Sequence, residues 1–249
     1  MIFKNLWGLI LTVIRILLFL LISIPYFFLI IFIPFLVRSE RLSEIFCSYW
    51  FKTLFYIFGI RLYVKKIGQI PDDKFIIFSN HLSFLDIPAV VLALWGKRIK
   101  FVAKEAVLKY PVIGWGLKIQ NHIILKEGSE FSSVRKIVRT IEREDVDCIC
   151  IFPEGTRGTS SEQVQPFKEG VSFIFDLIKK PLVPLAIIGT EKIYPVGAFV
   201  PKSGVIKVII GNPITYQSFD FFESKSKVRR KVLSEKIHQE LLELIKMNL

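Results

Sequence analysis

In Ser79-Asn80-His81-Leu82-Ser83-Phe84-Leu85-Asp86 a histidine stands five positions before an aspartate. An imidazole and a carboxylate joined by one tight turn make a proton-abstracting pair. The carboxylate fixes the tautomer and stabilises the imidazolium that forms when the other ring nitrogen takes a proton. A second segment, Phe152-Pro153-Glu154-Gly155-Thr156-Arg157, sets a glutamate and an arginine around a glycine. Gly155 permits a tight turn with exposed amides. Arg157 carries a planar fork of donors suited to phosphate, and Glu154 is available to orient that arginine or a bound hydroxyl. Ser79 and Ser83 flank the histidine, but neither lies in a Gly-x-Ser-x-Gly elbow. The simplest role for His81 is therefore general base toward a hydroxyl that the ligand brings. Taken alone, each segment also has a plainer reading. The His-Asp spacing arises by chance in roughly a third of chains this long, and Glu-Gly-Thr-Arg is equally a surface turn with an ion pair.

Strands must deliver both segments. Residues 75–78 form a short apolar run that reads as a buried strand, with Asn80 and His81 at its C-terminal end. Asp86 then falls near the N-terminus of a helix over 87–95, with Pro88 in its first turn. The apolar run 147–152 reads as a strand that ends on the Glu-Gly-Thr-Arg turn. Further strands are expected at 61–66, 99–103 (ending at Lys104), 123–125, 182–188 and 205–210, and helices at 130–143, 171–178 and from 226 onward. This alternation predicts an α/β fold with a mixed, mostly parallel sheet flanked by helices, and sites at the strand ends. The last helix places Val228, Val232, Ile237, Leu241 and Ile245 on one face. Its opening cluster, Lys225, Lys227, Arg229, Arg230 and Lys231, reads as a solvated basic face. Cys47, Cys148 and Cys150 are odd in number and irregular in spacing, which argues against a disulfide framework, and the last two read as buried strand residues. His122 and His238 receive no role.

The N-terminal part is different in kind. Residues 16–37 contain no charge, a 22-residue stretch long enough to cross a bilayer as a helix. Pro25 interrupts it, so a straight span and a re-entrant or interfacial arrangement both remain open. Arg15 precedes the stretch, and Arg38, Arg41, Lys52, Arg61, Lys65 and Lys66 follow it. If the segment spans once, that bias puts the C-terminal body in the cytoplasm. Residues 40–60 read as a second, amphipathic helix against the membrane or the body. The expected organisation is thus a membrane-anchoring helical part, 1–60, and an α/β domain, 61–249. The net charge of +12 suits nucleic acid, anionic lipid or phosphorylated ligands. Without a zinc finger or an aromatic ribonucleoprotein motif, nucleic acid is not the expected partner; the apolar segment favours lipid.

With these residues in view, the chain resembles the 1-acylglycerol-3-phosphate acyltransferases and the wider glycerolipid acyltransferase family. The resemblance runs from about residue 75 to 213, in the family's motif order. Asn80-His81-x4-Asp86 matches the catalytic motif, and Phe152 to Arg157 matches the phosphate and glycerol motif. Val183-Pro184-Leu185-Ala186-Ile187-Ile188-Gly189 matches the late apolar motif. Phe101-Val102-Ala103-Lys104-Glu105 and Gln165-Pro166-Phe167-Lys168-Glu169-Gly170 are similar to family segments too. The resemblance implies His81 as base and Asp86 as its orienter. Lys104, Arg157 and Lys126 would bind the acceptor phosphate, and Glu154, Gly155 and Thr156 would shape the glycerol site. It implies an acyl donor, acyl-CoA or acyl-carrier protein, with no metal and no bound cofactor. The acceptor would be the sn-2 hydroxyl of lysophosphatidate in a lipid bilayer, with the active site on the cytoplasmic face. Other acceptors, another lysophospholipid or glycerol 3-phosphate, belong to the same reaction; a lipid-binding protein without catalysis is the remaining alternative. The family usually has arginine where this chain has Lys126. Lysine keeps the charge and loses the bidentate geometry.

Overall fold

The computed structural model describes residues 2–126, 130–167, 169–215 and 226–249. Its centre is a seven-stranded sheet. The strands are β1 (Ile60–Lys66), β2 (Phe75–Ser79), β3 (Ile99–Lys104), β4 (Ile123–Leu125), β5 (Cys148–Ile151), β6 (Leu182–Ile188) and β7 (Gly204–Ile210). They lie in the order β1-β7-β6-β2-β5-β3-β4. Every neighbouring pair is parallel except β6 with β7, so the sheet is mixed and mostly parallel, as expected.

This topology positions the site. β2 is buried over its whole length and lies between β5 and β6, with Phe78 opposite Ile151 and Ser79 opposite Leu185. Phe101 of β3 lies opposite Cys150 of β5, and Lys104 opposite Leu125 of β4. Five parallel strands therefore end on one rim. The residues that follow them, His81, the Glu154–Arg157 turn, Lys126 and Thr190, gather there with Lys104, at the edge where open α/β sheets hold their ligands. The apolar core forms two layers, one on each face. Phe75, Ile77, Cys148 and Cys150 point to one side, and Ile76, Phe78, Ile149 and Ile151 to the other.

Helices cover both faces: α4 (Asp86–Ala93), α5 (Pro111–Ile119), α6 (Glu130–Glu142), α7 (Glu169–Ile178), the short α8 (Thr190–Ile193) and α9 (Ser226–Lys246). A 3-10 turn over Glu105–Lys109 and α5 have no counterpart in the predicted elements, because Gly114 and Gly116 read as helix breakers. Gly114 lies against the preceding turn, where a Cβ would stand 2.8 Å from the Leu108 carbonyl oxygen. Close packing, not propensity, places that glycine. On α9 the buried stripe is Leu233, Ile237, Leu241, Leu244 and Ile245, whereas Val228 and Val232 are exposed. The expected apolar face is thus corrected in its first two turns. Arg229 on this helix makes a two-toothed pair with Asp176 of α7, both contacts at 2.9 Å. Lys168 and Lys225 lie outside the described residues.

The N-terminal helix α1 (Ile2–Phe27) passes through Pro25 and widens into a π-helical turn at Phe28–Phe32. It closes with α2 (Ile33–Val37), and Arg38 in the left-handed conformation reverses the chain. A wide turn of this kind absorbs the donor that proline lacks. Ser39 caps α3 (Glu40–Phe58) by accepting the Leu42 amide. α1 and α3 pack antiparallel: Trp50 donates to Ser23, Tyr26 pairs with Thr53, and Phe19 touches both Trp50 and Phe58. Trp7, Leu11, Leu18, Leu21 and Ile24 stay exposed on the opposite side of α1.

α3 is tied to the sheet by charge. Lys100 of β3 is fully buried and bonds Glu40 at 3.0 Å, Glu44 at 2.6 Å and the Gln120 carbonyl at 2.6 Å. Arg143 and Arg98 close the network onto Glu40, Glu44 and Asp145. Three acceptors around one ammonium satisfy its three donors.

Candidate active site

Asp86 begins α4 with its side chain fully buried. Four donors converge on its two oxygens. Oδ2 accepts the amides of Leu82 at 2.6 Å and Ser83 at 2.8 Å, and His81 Nδ1 at 2.7 Å. Oδ1 accepts the Thr190 hydroxyl at 2.6 Å. The tight turn between His81 and Asp86 thus closes on the aspartate itself, as an N-terminal carboxylate does at a helix start. With Nδ1 donating to Asp86, Nε2 is left as the basic nitrogen. The His81 side chain is 19% exposed and Asp86 is 0% exposed, so only the histidine can meet a ligand.

The second segment holds the first. The Glu154 Oε1 accepts the His81 amide at 2.9 Å, and Oε2 accepts the Gln165 amide at 3.0 Å. The Gly158 amide donates to the His81 carbonyl at 2.7 Å. Phe152 stacks on the His81 ring, with centroids 4.2 Å apart and planes at 21°. Glu154 is buried, and burial pushes its carboxyl above the usual carboxylate range against the pull of the Gln165 and His81 amides. It stands behind the histidine as a brace. Gly155 takes a φ of 66°, in the left-handed region, and its amide closes a turn onto the Phe152 carbonyl. Arg157 lays its guanidinium 4.1 Å from the ring centroid of Phe84, a residue of the His-Asp turn.

A cavity of about 1990 Å³ opens in front of this cluster. His81, Lys104, Lys126, Gly155, Thr156 and Arg157 line it at the sheet rim. From there it runs between the body and the N-terminal helices, past Ile16, Phe19, Phe27, Phe51 and Leu54. Of the residues singled out in the sequence, Asp86 and Glu154 lie behind the cavity wall and the other six border the space. The arrangement offers a base, a cationic rim and a long apolar recess in one enclosure.

Two participants were not legible beforehand. Asn80 joins β2 to β6 by a matched pair of bonds, Nδ2 to the Ile187 carbonyl at 2.7 Å and the Ile187 amide to Oδ1 at 2.8 Å. Thr190 follows Gly189, whose φ is 98° and whose added Cβ would lie 2.6 Å from the Val205 carbonyl oxygen. Only glycine turns the chain there, and the turn aims Thr190 at Asp86. The late apolar motif ends one residue short of it, the one sequence signal that pointed its way. His122 and His238 have partners after all: Gln120 and the Phe101 amide for the first, the Val164 carbonyl and the Phe167 ring for the second.

Comparison with known proteins agrees with this geometry. The 1-acyl-sn-glycerol-3-phosphate acyltransferase of Bacillus subtilis is 30% identical over 188 residues, covering 75% of this chain and 88% of that protein. A chloroplastic enzyme of the same name from Brassica napus is 32% identical over 171 residues, 66% of this chain and 49% of its own length. The chain spans about half the length of the chloroplastic relatives it matches. The crystal structure of the 1-acyl-sn-glycerophosphate acyltransferase from Thermotoga maritima superimposes with a TM-score of 0.68 at 23% identity, covering 94% of this chain and 95% of that one, a likeness of fold. The profile of the Acyltransferase family matches residues 61–188, which run from β1 to the end of β6 and include both motif segments, and the chain belongs to that family.

Proposed function

We propose that this protein transfers a fatty acyl group from an acyl thioester, acyl-CoA or acyl-carrier protein, to the sn-2 hydroxyl of lysophosphatidate, giving phosphatidate. The observation that carries the reading is the His81–Asp86 pair, bonded at 2.7 Å, at the junction of a cationic rim and an apolar recess. An acceptor with a phosphate at one end and an acyl chain at the other matches that enclosure, and the relatives' names agree with it.

In this reading Lys104, Lys126 and Arg157 hold the phosphate. Gly155 and Thr156 border the glycerol, and Glu154 fixes the histidine behind it. His81 Nε2 takes the hydroxyl proton as the oxygen attacks the thioester carbonyl. Asp86 stabilises the imidazolium. Collapse of the tetrahedral adduct breaks the C–S bond, and the imidazolium returns the proton to the departing thiolate.

Substrate and product both reside in a bilayer, and the N-terminal part suits that setting. The helix from Trp7 to Val37 is long and apolar enough to cross a membrane. Yet α1 keeps its inner side against α3 and the body and its outer side exposed, which favours a hairpin seated in the interface over a straight span. The Arg and Lys residues that follow it favour the cytoplasmic face. On this reading 1–60 is the membrane-seated part and 61–249 the acyltransferase domain.

The test is acyl transfer from a labelled acyl thioester to lysophosphatidate by membranes that contain wild type or His81→Ala protein. Phosphatidate from wild type and a loss of about 10³-fold in the variant are expected. Because Lys126 stands where arginine is usual, the assay includes glycerol 3-phosphate and lysophospholipids without a phosphomonoester. Label on one of those alone would keep the chemistry and change the acceptor; equal turnover in both proteins would overturn the mechanism.

A further inference from the structure

Between α8 and β7 the chain makes a closed loop whose tip faces solvent with apolar side chains. Val196 is 55% exposed and Phe199 97% exposed. An isolated exposed apolar residue is ordinary, but a phenylalanine this bare on a braced loop is not. The Ala198 amide bonds the Pro195 carbonyl, with Gly197 at a φ of 86°, so the tip is a hydrogen-bonded turn. The base is fixed too. The Lys202 amide bonds the Ile193 carbonyl at 2.9 Å, and the Ser83 hydroxyl donates to the Tyr194 carbonyl at 2.6 Å. Val200 packs into the core beside Phe199, which does not. Lys192 and Lys202, both exposed, flank the loop.

We propose that this loop is a second lipid-contacting element, which inserts Val196 and Phe199 into the acyl side of the bilayer interface while Lys192 and Lys202 meet anionic headgroups. Its place in the fold selects lipid over a protein partner. The loop's base shares a cleft of about 380 Å³ with α1, lined by Thr12, Arg15, Phe58, Val200, Pro201 and Lys202. It therefore abuts the apolar helix whose outer face needs a nonpolar cover along its length. An apolar tip on a basic base is the distribution of side chains at a membrane interface. The two contacts, α1 and the loop, fix a plane rather than a line, so they set the tilt of the domain on the bilayer. Through Tyr194 and Ser83 the loop is bonded to the turn that carries His81 and Asp86.

The test uses the full chain with Cys47→Ser and a single new cysteine, Val196→Cys or Phe199→Cys, labelled with an environment-sensitive fluorophore. Gln239→Cys, exposed on α9, is the reference site. On vesicles of phosphatidylcholine and phosphatidylglycerol, nitroxide-bearing lipids should quench the label at 196 and 199 at least threefold more than at 239, with a blue-shifted emission. Labels at 196 and 199 that stay unquenched on vesicle-bound protein would overturn the proposal. Equal quenching at all three sites would overturn it as well, since it would mean general burial or association of copies. The readout does not use catalysis: a protein without acyl transfer but with quenched loop labels would defeat the functional reading and leave this one standing.

Discussion

The Glu154 carboxylate and the His81 backbone form one unit: Oε1 accepts the His81 amide at 2.9 Å, and the Gly158 amide four residues on donates to the His81 carbonyl at 2.7 Å. The main chain of the base is thus clamped on both polar groups by the segment that also carries Arg157. A family motif read as phosphate and glycerol recognition is, in its glutamate, a support for the histidine.

Glu154→Gln tests that division of labour. Glutamine has one acceptor where the carboxylate has two, so either His81 or Gln165 faces a donor. The lost bond costs about 1–3 kcal/mol of stability, and a base displaced by a fraction of an ångström lowers kcat about 10- to 100-fold with little change in KM. Steady-state kinetics beside thermal unfolding measure both. A variant with a raised KM and normal kcat would return Glu154 to the glycerol site.

Thr190 is a positioning residue for Asp86, to which it donates at 2.6 Å. Thr190→Val keeps the shape and removes the donor, and kcat is expected to fall about tenfold. Thr190→Ser restores the hydroxyl and should recover most of the rate. Equal loss in both variants would mark the effect as packing alone.

Lys126→Arg supplies a planar fork at the cationic rim. For a phosphomonoester acceptor KM should drop about three- to tenfold, with no change for an acceptor lacking that group. Competition between the two acceptors reads the difference directly.

Lys100 has no exposed surface and serves Glu40, Glu44 and the Gln120 carbonyl. Lys100→Met leaves two carboxylates of α3 without their central cation and is expected to cost about 3 kcal/mol. Chemical denaturation measures the loss. Limited proteolysis should then cut first near α3, because this network fastens that helix to β3.

His122 gives a pH dependence of stability. Its Nδ1 accepts the Phe101 amide at 3.2 Å, and Nε2 donates to the Gln120 side-chain oxygen at 3.1 Å. Burial, helped by the nearby Lys100 charge, pushes its pKa down from 6.5 to about 3. Below pH 6.5 the unfolded chain takes up a proton that the folded chain refuses, so stability falls as pH drops. Between pH 6.5 and about pH 5 the loss from this group is about 2 kcal/mol. His122→Asn, which keeps an acceptor for Phe101, should flatten the thermal-unfolding profile across that window. An unchanged slope would assign the dependence elsewhere.

The sequence by itself determined the parts whose physics is local. Apolar runs such as 75–78 and 147–152 become strands because they must bury both faces, and the residues after them, His81 and Glu154 to Arg157, emerge at strand ends. Asp86 meets His81 because only one turn separates them. Tertiary structure alone decided what depends on strand order and packing. Thr190 reaches Asp86 because β6 lies beside β2, although 104 residues separate the two in the chain. Lys100 finds Glu40 and Glu44 because α3 folds back over β3, and a lysine in an apolar strand gives no hint of that partner. α9 carries two possible apolar stripes, and contact with β6 and α7 buried Leu233 and Leu244 while leaving Val228 and Val232 outside. The length and hydropathy of residues 16–37 fixed an affinity for lipid, but its placement was decided by Ser23, Tyr26 and Phe19 pairing with α3, since a helix held along its side cannot project away from the body.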